Sequence, residues 1–306
     1  MSRTGVVVMA YGTPGGPEDV EAYYTHIRRG RPPTDEQLAD LRRRYDAIGG
    51  VSPMAERTEA QRAAIAAALD ASRPGSFDVV LGQKHAAPFI EDAVDELAAR
   101  GVDRIVGLVL APHFSRSSVG EYQGRATEAA AAHGIDLVAV DHWHLEPAYL
   151  DFLATAVRDA AATLPDHHHV LFTAHSLPER ALVDDPYPDE LRESAEAVAQ
   201  RVGLAPWAGW GIAWQSAGRT PDPWRGPDVL EIIRDLADTG RSQGVLVCAQ
   251  GFVSDHLEIL YDLDIEARRV ATEHGLAFAR TRSVDDDPGV MGALADLVVA
   301  ASGSEA

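Results

Sequence analysis

Short apolar runs alternate along most of the chain with stretches in which apolar residues recur at helical intervals. Such runs predict buried strands, and the 3.6-residue periodicity between them predicts amphipathic helices. The predicted strands span 4–10, 78–83, 104–111, 136–141, 169–174, 210–215, 244–249 and 276–280. The predicted helices span 17–27, 34–47, 56–71, 89–99, 117–133, 147–163, 189–202, 227–239, 256–272 and 287–301. This alternation predicts an α/β fold built on parallel, doubly wound sheets.

The two halves of the chain share a pattern where their strands end. Met9 to Pro14 closes the first strand in the same Ala-x-small-x-Pro form as Thr173 to Pro178, which makes Tyr11 and His175 equivalent. Further matched pairs are Gln83 with Gln215, Pro88 with Pro227 and Phe114 with Phe252. We therefore expect two similar α/β halves whose strand ends line one cleft.

The first half is longer than the second because it carries an insertion. The stretch from Pro14 to Gln83 far exceeds that from Pro178 to Gln215, and the extra segment, about 28–55, contains several arginines. Guanidinium groups bind carboxylates through paired hydrogen bonds, so a small anionic ligand explains arginines in an otherwise acidic chain. The alternative is that these arginines bind no ligand and lie in solvent at helix ends.

Charge and composition exclude several classes of function. A formal net charge of -20 over 306 residues argues against nucleic acid, whose phosphates require a basic surface. We find neither a leader segment nor an apolar run of the roughly 20 residues in a membrane span, so we expect a cytoplasmic protein without stable membrane insertion. The one cysteine, Cys248, excludes an internal disulfide framework. Gly12 to Gly16 lacks phosphate-loop spacing, so no nucleotide is expected.

Three carboxylates follow a buried strand at helical spacing. Glu258, Asp262 and Glu266 share one face of the predicted helix 256–272, with about 6 Å between neighbours. The apolar residues expected to bury this helix are Leu257, Leu260, Leu263 and Ile265. Oxygen ligands in a row suit a hydrated divalent cation that moves inward. A solvated acidic helix face is the alternative.

His175 ends the predicted strand 169–174, in the same half as Glu258. Binding sites of open α/β sheets lie at such strand ends. A neutral imidazole there can accept a proton or bind a borderline metal, and a nearby carboxylate can hold its orientation. A hydrogen-bonded structural histidine is the alternative.

Other histidines are weaker candidates. An extended chain would put His142, His144 and Glu146 on one face but spread them over about 13 Å, so no zinc site is predicted there. His256 is expected to support Glu258 rather than to bind a ligand. The histidines expected at strand ends of the first half are His85 and His113.

Six motifs occur in order along the chain: Tyr11 to Pro14, Tyr24 to Gly30, Arg44 to Pro53, Ala174 to Pro178, Trp214 to Ser216 and Gly251 to Glu258. Each is weak alone, but together they resemble the ferrochelatases, most closely the soluble coproporphyrin ferrochelatases of Gram-positive bacteria. The resemblance covers essentially the whole chain. It implies two Rossmann-like domains around a porphyrin cleft.

The resemblance implies insertion of Fe(II), the substrate metal, into coproporphyrin III during haem biosynthesis, with loss of two pyrrole protons. His175 is similar to the family's active-site histidine and Glu258 to its carboxylate partner. Asp262 and Glu266 are similar to the outer residues that pass hydrated metal inward. The residues similar to those that contact the macrocycle, its propionates or its iron are Tyr11, Arg28, Arg44, Tyr45, Ser52 and Tyr122.

The resemblance also implies domain boundaries and partners. The first domain is expected over 1–146, with the porphyrin-contacting insertion at about 28–55 and completion by a C-terminal helix, 285–306; the second spans 147–284 and carries the metal-site histidine and glutamate. No iron–sulfur cluster is expected, because relatives that hold one use several cysteines. A monomer is expected, with transient contact with neighbouring haem-pathway enzymes.

One departure from the family stands before Gly251. Ala249 and Gln250 occupy positions where the family has proline and then valine or isoleucine, which predicts a more polar pocket wall.

Two other functions fit the same residues. One is a cobalt or nickel chelatase for a related, more reduced tetrapyrrole. The other is a non-catalytic haem carrier with Tyr11 as ligand, in which the acidic row would have no role. A periplasmic-type binding protein would share the two-half fold, but the absent leader segment argues against it.

Overall fold

The computed structural model describes residues 3–205, 208–218 and 220–303, and strands alternate with helices throughout. The strands are Thr4–Ala10 (β1), Phe77–Gln83 (β2), Arg104–Val109 (β3), Asp136–Val140 (β4), His168–His175 (β5), Trp210–Gln215 (β6), Gly244–Cys248 (β7) and Ala277–Arg280 (β8). The helices are Val20–Ile27 (α1), Asp35–Ala47 (α2), Met54–Ser72 (α3), Ile90–Ala99 (α4), Val119–Ala132 (α5), Pro147–Ala161 (α6), Tyr187–Val202 (α7), Val229–Asp238 (α8), Leu257–Leu260 (α9), Arg268–Glu273 (α10) and Pro288–Ala301 (α11). Among the described residues, no helix has both the length and the apolar character that crossing a membrane demands.

Two parallel four-stranded sheets have the same strand order, β2-β1-β3-β4 and β6-β5-β7-β8. β1 and β5 are therefore equivalent interior strands, and their near-continuous apolar sequences are typical of strands covered by helices on both faces. A glutamine ends the neighbouring strand in both sheets, but the register differs by one residue: Gln83 lies opposite Ala10, whereas Gln215 lies opposite His175. The predicted α/β fold with two similar halves is confirmed.

One buried apolar cluster joins the two sheets. It contains side chains of β1 and β3 from the first sheet and of β5 and β7 from the second, together with α3, α6 and α11. α11 is the last helix of the chain, yet it packs against α3 and β4 of the first half as well as against α6. The expected domain boundaries near residues 146 and 284 are compatible with these contacts and stay a prediction.

The helix that follows β7 is interrupted, whereas the sequence predicts one helix over 256–272. α9 ends after one turn, and Asp262–Ala267 continues as a wider π-helical segment in which the Glu266 N–H donates to the Tyr261 carbonyl at 2.9 Å. Ile265 in this turn faces solvent and is 37 % exposed. The prediction that Ile265 buries the helix is therefore wrong. π-helical turns of this kind are frequent at functional sites.

Candidate active site

His175 and Glu258 face each other at the carboxyl end of β5. His175 is the last residue of β5, and Glu258 lies in α9, the helix that follows β7. Nε2 of His175 is 3.5 Å from Oε1 of Glu258, and the two side chains are 34 % and 33 % exposed. Nδ1 of His175 donates to the carbonyl oxygen of Ser176, so Nε2 is the nitrogen directed at the carboxylate. His256 approaches the other carboxylate oxygen of Glu258, also at 3.5 Å.

The charges of this pair reinforce each other. Burial works against protonation of His175, but the carboxylate of Glu258, the Ser176 carbonyl and the charge of Asp262 together raise the pKa of His175. Burial likewise works against the charged form of Glu258, but His175 and His256 hold the pKa of Glu258 well below its usual range. Glu258 is therefore a carboxylate across the physiological range, facing an imidazole of increased basicity.

Asp262 extends the row and contacts two other segments of the chain. Its side chain is 10 % exposed, and its Oδ1 is 3.4 Å from a guanidinium nitrogen of Arg44 on α2. Its Oδ2 accepts a hydrogen bond of 2.5 Å from the hydroxyl of Ser216, which follows β6. Burial and then the charge of Glu258 raise the pKa of Asp262 to about 6, with a further contribution from Glu266 and against the effects of Ser216 and Arg44. The three predicted carboxylates thus remain neighbours despite the π-helical turn.

Phenol side chains of the first half face the same cleft. Tyr11 directly follows β1, at the position equivalent to His175, the last residue of β5. The ring centroid of Tyr11 is 4.6 Å from that of His85. Burial and then the charge of Glu258 raise the pKa of Tyr11 well above its ordinary value. Burial also raises the pKa of Tyr45 to about 12. The hydrogen bond between Tyr45 and Thr13 opposes this increase, and the charge of Glu258 adds to it. Because Glu258 acts on phenols of the opposite half, the strand ends of the two halves lie near each other.

A cavity of about 450 Å³ opens beside Tyr11, and its wall is basic. This volume lies in the range of small-molecule sites. The charged residues that line it are Arg29, Lys84, Arg125 and Glu121. His26 and His85 also line it, and burial lowers the pKa of His85 to about 3, so this ring is neutral. The Lys84 side chain is 8 % exposed, with its Nζ 2.9 Å from Glu121 and 5.0 Å from the ring centre of Tyr122. Burial lowers the pKa of Lys84, and Glu121 opposes this effect.

Of the other predicted contact residues in the insertion, Arg28 and Ser52 have partners within it, whereas Arg44 contacts the opposite half. Arg28 donates from Nε to the carbonyl of Arg31 at 3.2 Å. Ser52 is buried before α3, where its hydroxyl oxygen accepts from the N–H of Met54 at 3.2 Å. Arg44 contacts Asp262 rather than the basic cavity. Tyr11, His175, Glu258 and Asp262 therefore come together in the cleft, whereas Arg28 and Ser52 use their polar atoms locally.

Comparison with known proteins identifies the family, because the ferrochelatase family model matches residues 3–302. The chain belongs to the ferrochelatase family. It is 43 % identical over 302 residues to the coproporphyrin III ferrochelatase of Anoxybacillus flavithermus, covering 96 % of this chain and 95 % of that protein. It is 42 % identical over 304 residues to the coproporphyrin III ferrochelatase of Bacillus subtilis, covering 97 % of each.

Solved structures confirm the two-sheet fold of this ferrochelatase. "SirB from Bacillus subtilis with Fe3+" superimposes with a TM-score of 0.61 at 10 % identity and covers 99 % of this chain and 97 % of that chain. CbiX, described as the terminal enzyme for biosynthesis of siroheme in denitrifying bacteria, gives 0.55 at 15 % identity and covers 98 % and 99 %. At these identities the likeness concerns the fold alone.

Gln250, which departs from the ferrochelatase pattern, points into the interior rather than into the cleft. It is fully buried, and its side-chain amide donates to the carbonyl of Leu191 at 2.9 Å. Its side-chain oxygen accepts from the hydroxyl of Ser194 at 3.1 Å, and its backbone carbonyl accepts from Tyr149. The expected polar pocket wall does not hold at Gln250, because its amide connects the end of β7 to α7.

Replacing Gln250 with valine is expected to lower the free energy of unfolding by about 1–3 kcal/mol, because Ser194 loses a buried acceptor and the amide bond to Leu191 disappears. Urea denaturation followed by circular dichroism measures this difference. Gln200→Val, at an exposed glutamine of α7, is the control and should change stability by about 0.5 kcal/mol or less. Equal unfolding midpoints for the two variants would contradict the structural role of Gln250.

Sequence reasoning missed the basic wall of the cavity. Its members come from three separate segments, so no local spacing reveals them. One signal was available: Lys84 is the only lysine of the chain, and it directly follows the second predicted strand, at the edge where sites of parallel sheets lie.

Proposed function

We propose that this ferrochelatase inserts ferrous iron, its substrate metal, into coproporphyrin III. The observation that carries the proposal is the approach of His175 to Glu258 at 3.5 Å in a cleft bordered on its other side by Tyr11. Relatives named coproporphyrin III ferrochelatases, 42–43 % identical over nearly the whole chain, support the choice of substrate.

His175 acts as the base in this proposal. A free porphyrin carries two N–H groups in its central hole, and both protons must leave when a divalent cation enters. Neutral His175 accepts a pyrrole proton at Nε2, and the carboxylate of Glu258 stabilises the imidazolium that forms. The imidazolium then releases its proton to water, and the second pyrrole proton follows the same route. Tautomer and ring orientation are held by the Nδ1 hydrogen bond to Ser176.

The carboxylate row delivers the metal in this proposal. Carboxylate oxygens suit a divalent cation that keeps part of its hydration shell. Glu266, Asp262 and Glu258 form a row of such ligands in which Asp262 is buried and the other two are half-buried. Like charges in a file repel one another, so a passing cation relieves repulsion at each step.

Basic side chains around Tyr11 suit a substrate with several carboxylates. Arg29, Lys84 and Arg125 line the cavity, and guanidinium and ammonium groups bind propionates through charge-assisted hydrogen bonds. Tyr11, which is exposed next to these charges, offers apolar ring surface that suits the flat macrocycle, whereas Tyr122 lies buried against Lys84. Arg28, Arg44, Tyr45 and Ser52 remain proposed contacts of the macrocycle or its propionates.

An anaerobic assay with purified full-length protein tests the function. Ferrous iron and coproporphyrin III should give metalloporphyrin at a rate far above the uncatalysed reaction. Turnover only with cobalt and sirohydrochlorin would favour the chelatase of a reduced tetrapyrrole. Tight haem binding without metalation of free coproporphyrin would favour the carrier. Either result would overturn the proposal.

Asp262→Asn is expected to raise the KM for ferrous iron about 10-fold at pH 7, in line with the effect of removing charged groups around a metal. In the wild type, the same loss should develop as the pH falls through about 6, because Asp262 then takes up a proton. In the variant the KM for iron should no longer rise over this range, although protonation of His175 still lowers kcat as the pH falls. Initial rates over a series of iron concentrations between pH 5 and about 8 separate KM from kcat and measure both effects.

The pH dependence of the free energy of unfolding gives a second test of the raised pKa of Asp262. The folded-state pKa of Asp262, about 6, exceeds its ordinary value of 3.8. Between these two values the folded protein holds a proton that the unfolded chain has released, so wild-type stability falls as the pH rises through this window. Asp262→Asn removes that dependence, whereas Asp166→Asn at an exposed turn should retain it. Parallel pH–stability curves for wild type and Asp262→Asn would contradict the raised pKa.

We further propose a cytoplasmic monomer that needs neither an iron–sulfur cluster nor a nucleotide and contacts neighbouring haem-pathway enzymes transiently. The single cysteine, Cys248, is buried in β7, which leaves one chain without the thiolates of a cysteine-held cluster. Light scattering coupled to gel filtration tests the oligomeric state, and a dimer mass at micromolar concentration would contradict it.

A further inference from the structure

A second cluster of metal-ligand side chains lies away from the His175–Glu258 site. His142 and His144 follow β4 in the connection to α6, and Glu190 lies in the first turn of α7. One ligand atom from each of these three residues lies within 4.8 Å of the other two. The cluster therefore joins the connection after β4 to the second half's α7.

The distances match those between neighbouring ligands of one ion. Nδ1 of His142 is 2.9 Å from Oε1 of Glu190, and Nδ1 of His144 is 3.4 Å from Oε2 of the same carboxylate. Around a tetrahedral zinc ion with bonds of about 2.0–2.1 Å, adjacent ligand atoms are about 3.3 Å apart. Small adjustments of the exposed His142 side chain, 60 % accessible, are enough to open the 2.9 Å contact.

The two ring nitrogens of His144 have different surroundings. Its Nε2 is 2.9 Å from the carboxylate of Glu193, which assigns the ring proton to Nε2. Its Nδ1 is buried and makes no hydrogen bond, although it faces Glu190. Oε2 of Glu190 already accepts a hydrogen bond of 2.6 Å from the N–H of Phe114. Nδ1 of His144 and the carboxylate of Glu190 thus face each other at 3.4 Å in a site where the two side chains are each 8 % exposed.

We infer that His142, His144 and Glu190 form a binding site for a zinc ion, with Glu193 as the positioning residue behind His144. Two imidazole nitrogens and one carboxylate oxygen suit a borderline divalent cation, and the exposed edge at His142 admits water as a fourth ligand. A carboxylate that accepts the second ring proton of a coordinating histidine is the usual support of such ligands, and Glu193 provides it. Because the ion would bridge the connection after β4 and α7, zinc should stabilise the packing of the two halves.

This cluster differs from the zinc site of His142, His144 and Glu146 that the sequence analysis considers and does not predict. Glu146 is not part of the cluster, and its place is taken by Glu190 on α7. The chain bends after β4, so that His142 and His144 approach one carboxylate instead of lying along an extended segment.

Zinc binding must be measured where the active site cannot contribute. The starting protein for this test is the full-length His175→Ala/Glu258→Gln variant, freed of metal. Equilibrium dialysis against buffered Zn²⁺ measures the zinc that it binds. This protein should bind one zinc ion, and Co²⁺ in its place should give the intense visible bands of four-coordinate cobalt. Adding His142→Ala and His144→Ala should abolish both signals, whereas adding His167→Ala and His168→Ala, at the opposite end of β5, should leave both unchanged.

Two further measurements keep the inference testable if the doubly substituted cluster folds poorly. Glu193→Ala changes an exposed side chain and should weaken zinc binding about 10–100-fold. Zinc should raise the melting temperature of the starting protein but not that of the His142→Ala variant. Unchanged zinc binding after loss of His142 and His144, or no zinc uptake by the starting protein, would overturn the inference. Neither outcome depends on whether the protein inserts iron.

Discussion

His175→Ala is expected to lower kcat for iron insertion by about 10²–10⁴-fold, the usual contribution of a positioned proton acceptor. The side chain contacts the cleft with 34 % of its surface exposed, so its removal should leave the fold and the porphyrin-binding wall in place. Initial rates at saturating iron under anaerobic conditions measure the loss. Quenching of porphyrin fluorescence measures binding, and the dissociation constant of coproporphyrin III should change little.

The matched control is His167→Ala, because His167 is exposed just before the opposite end of β5. This variant should retain the wild-type kcat and fold. A wild-type kcat for His175→Ala at saturating substrates would falsify the role of His175 as the base. Loss of coproporphyrin binding without loss of kcat would assign the residue to substrate binding instead.

Glu258→Gln should reduce kcat by about 10²-fold or more, because the imidazolium of His175 loses the carboxylate that stabilises it. The substitution also removes the main influence that raises the pKa of His175 against the effect of burial. The pKa of His175 should therefore fall, and the acid limb of the pH–rate profile should move to lower pH. Proton NMR of the His175 ring across the same pH range measures the shift directly.

The free energy of unfolding gives a further test of the His175–Glu258 pair, because the direction of its pH dependence is fixed. A histidine whose folded-state pKa is raised contributes stability below its unfolded value of about 6.5, and this contribution disappears as the pH rises through the folded-state pKa. The stability difference between wild type and Glu258→Gln should therefore be larger at pH 6 than about two units higher. Glu273→Gln, an exposed glutamate of α10, should show no such trend. An unshifted pKa of His175 in Glu258→Gln would contradict the pairing.

Much of the fold follows from local pattern. The apolar runs of β1 and β5 are buried on both faces, so burial and strand propensity favour the same assignment. The repeat at Tyr11 and His175 also indicated that equivalent strands end at equivalent places, and the sheet order agrees. The π-helical turn at Asp262–Ala267 could not be predicted from the sequence. Apolar residues that recur at α-helical intervals do not reveal that one turn contains an additional residue.

The candidate site was accessible to sequence reasoning where its residues lie near strand ends, as His175 and Glu258 do. Contacts between distant segments were not. Arg44 remains a predicted porphyrin contact, but no local spacing indicates that its guanidinium lies 3.4 Å from Asp262 in the opposite half. The partner of His142 and His144 likewise lies on α7, so the spacing within their own segment argued against a metal. Such pairings depend on how the halves pack, which no local spacing encodes.

The wide turn at Asp262–Ala267 is equivalent to one residue inserted into an ordinary helix. Each residue of an α-helix advances the chain by about 100° around the axis. Four such steps add up to about 400°, so Asp262 and Glu266 would share a face of an ordinary helix as well, and a three-residue spacing would also keep them neighbours. Removing a single residue from this turn should therefore restore a regular α-helix and leave the three carboxylates on one side. The wide turn is expected to tolerate the loss of one residue better than a regular turn of α3, where the same loss would rotate every later side chain by about 100°.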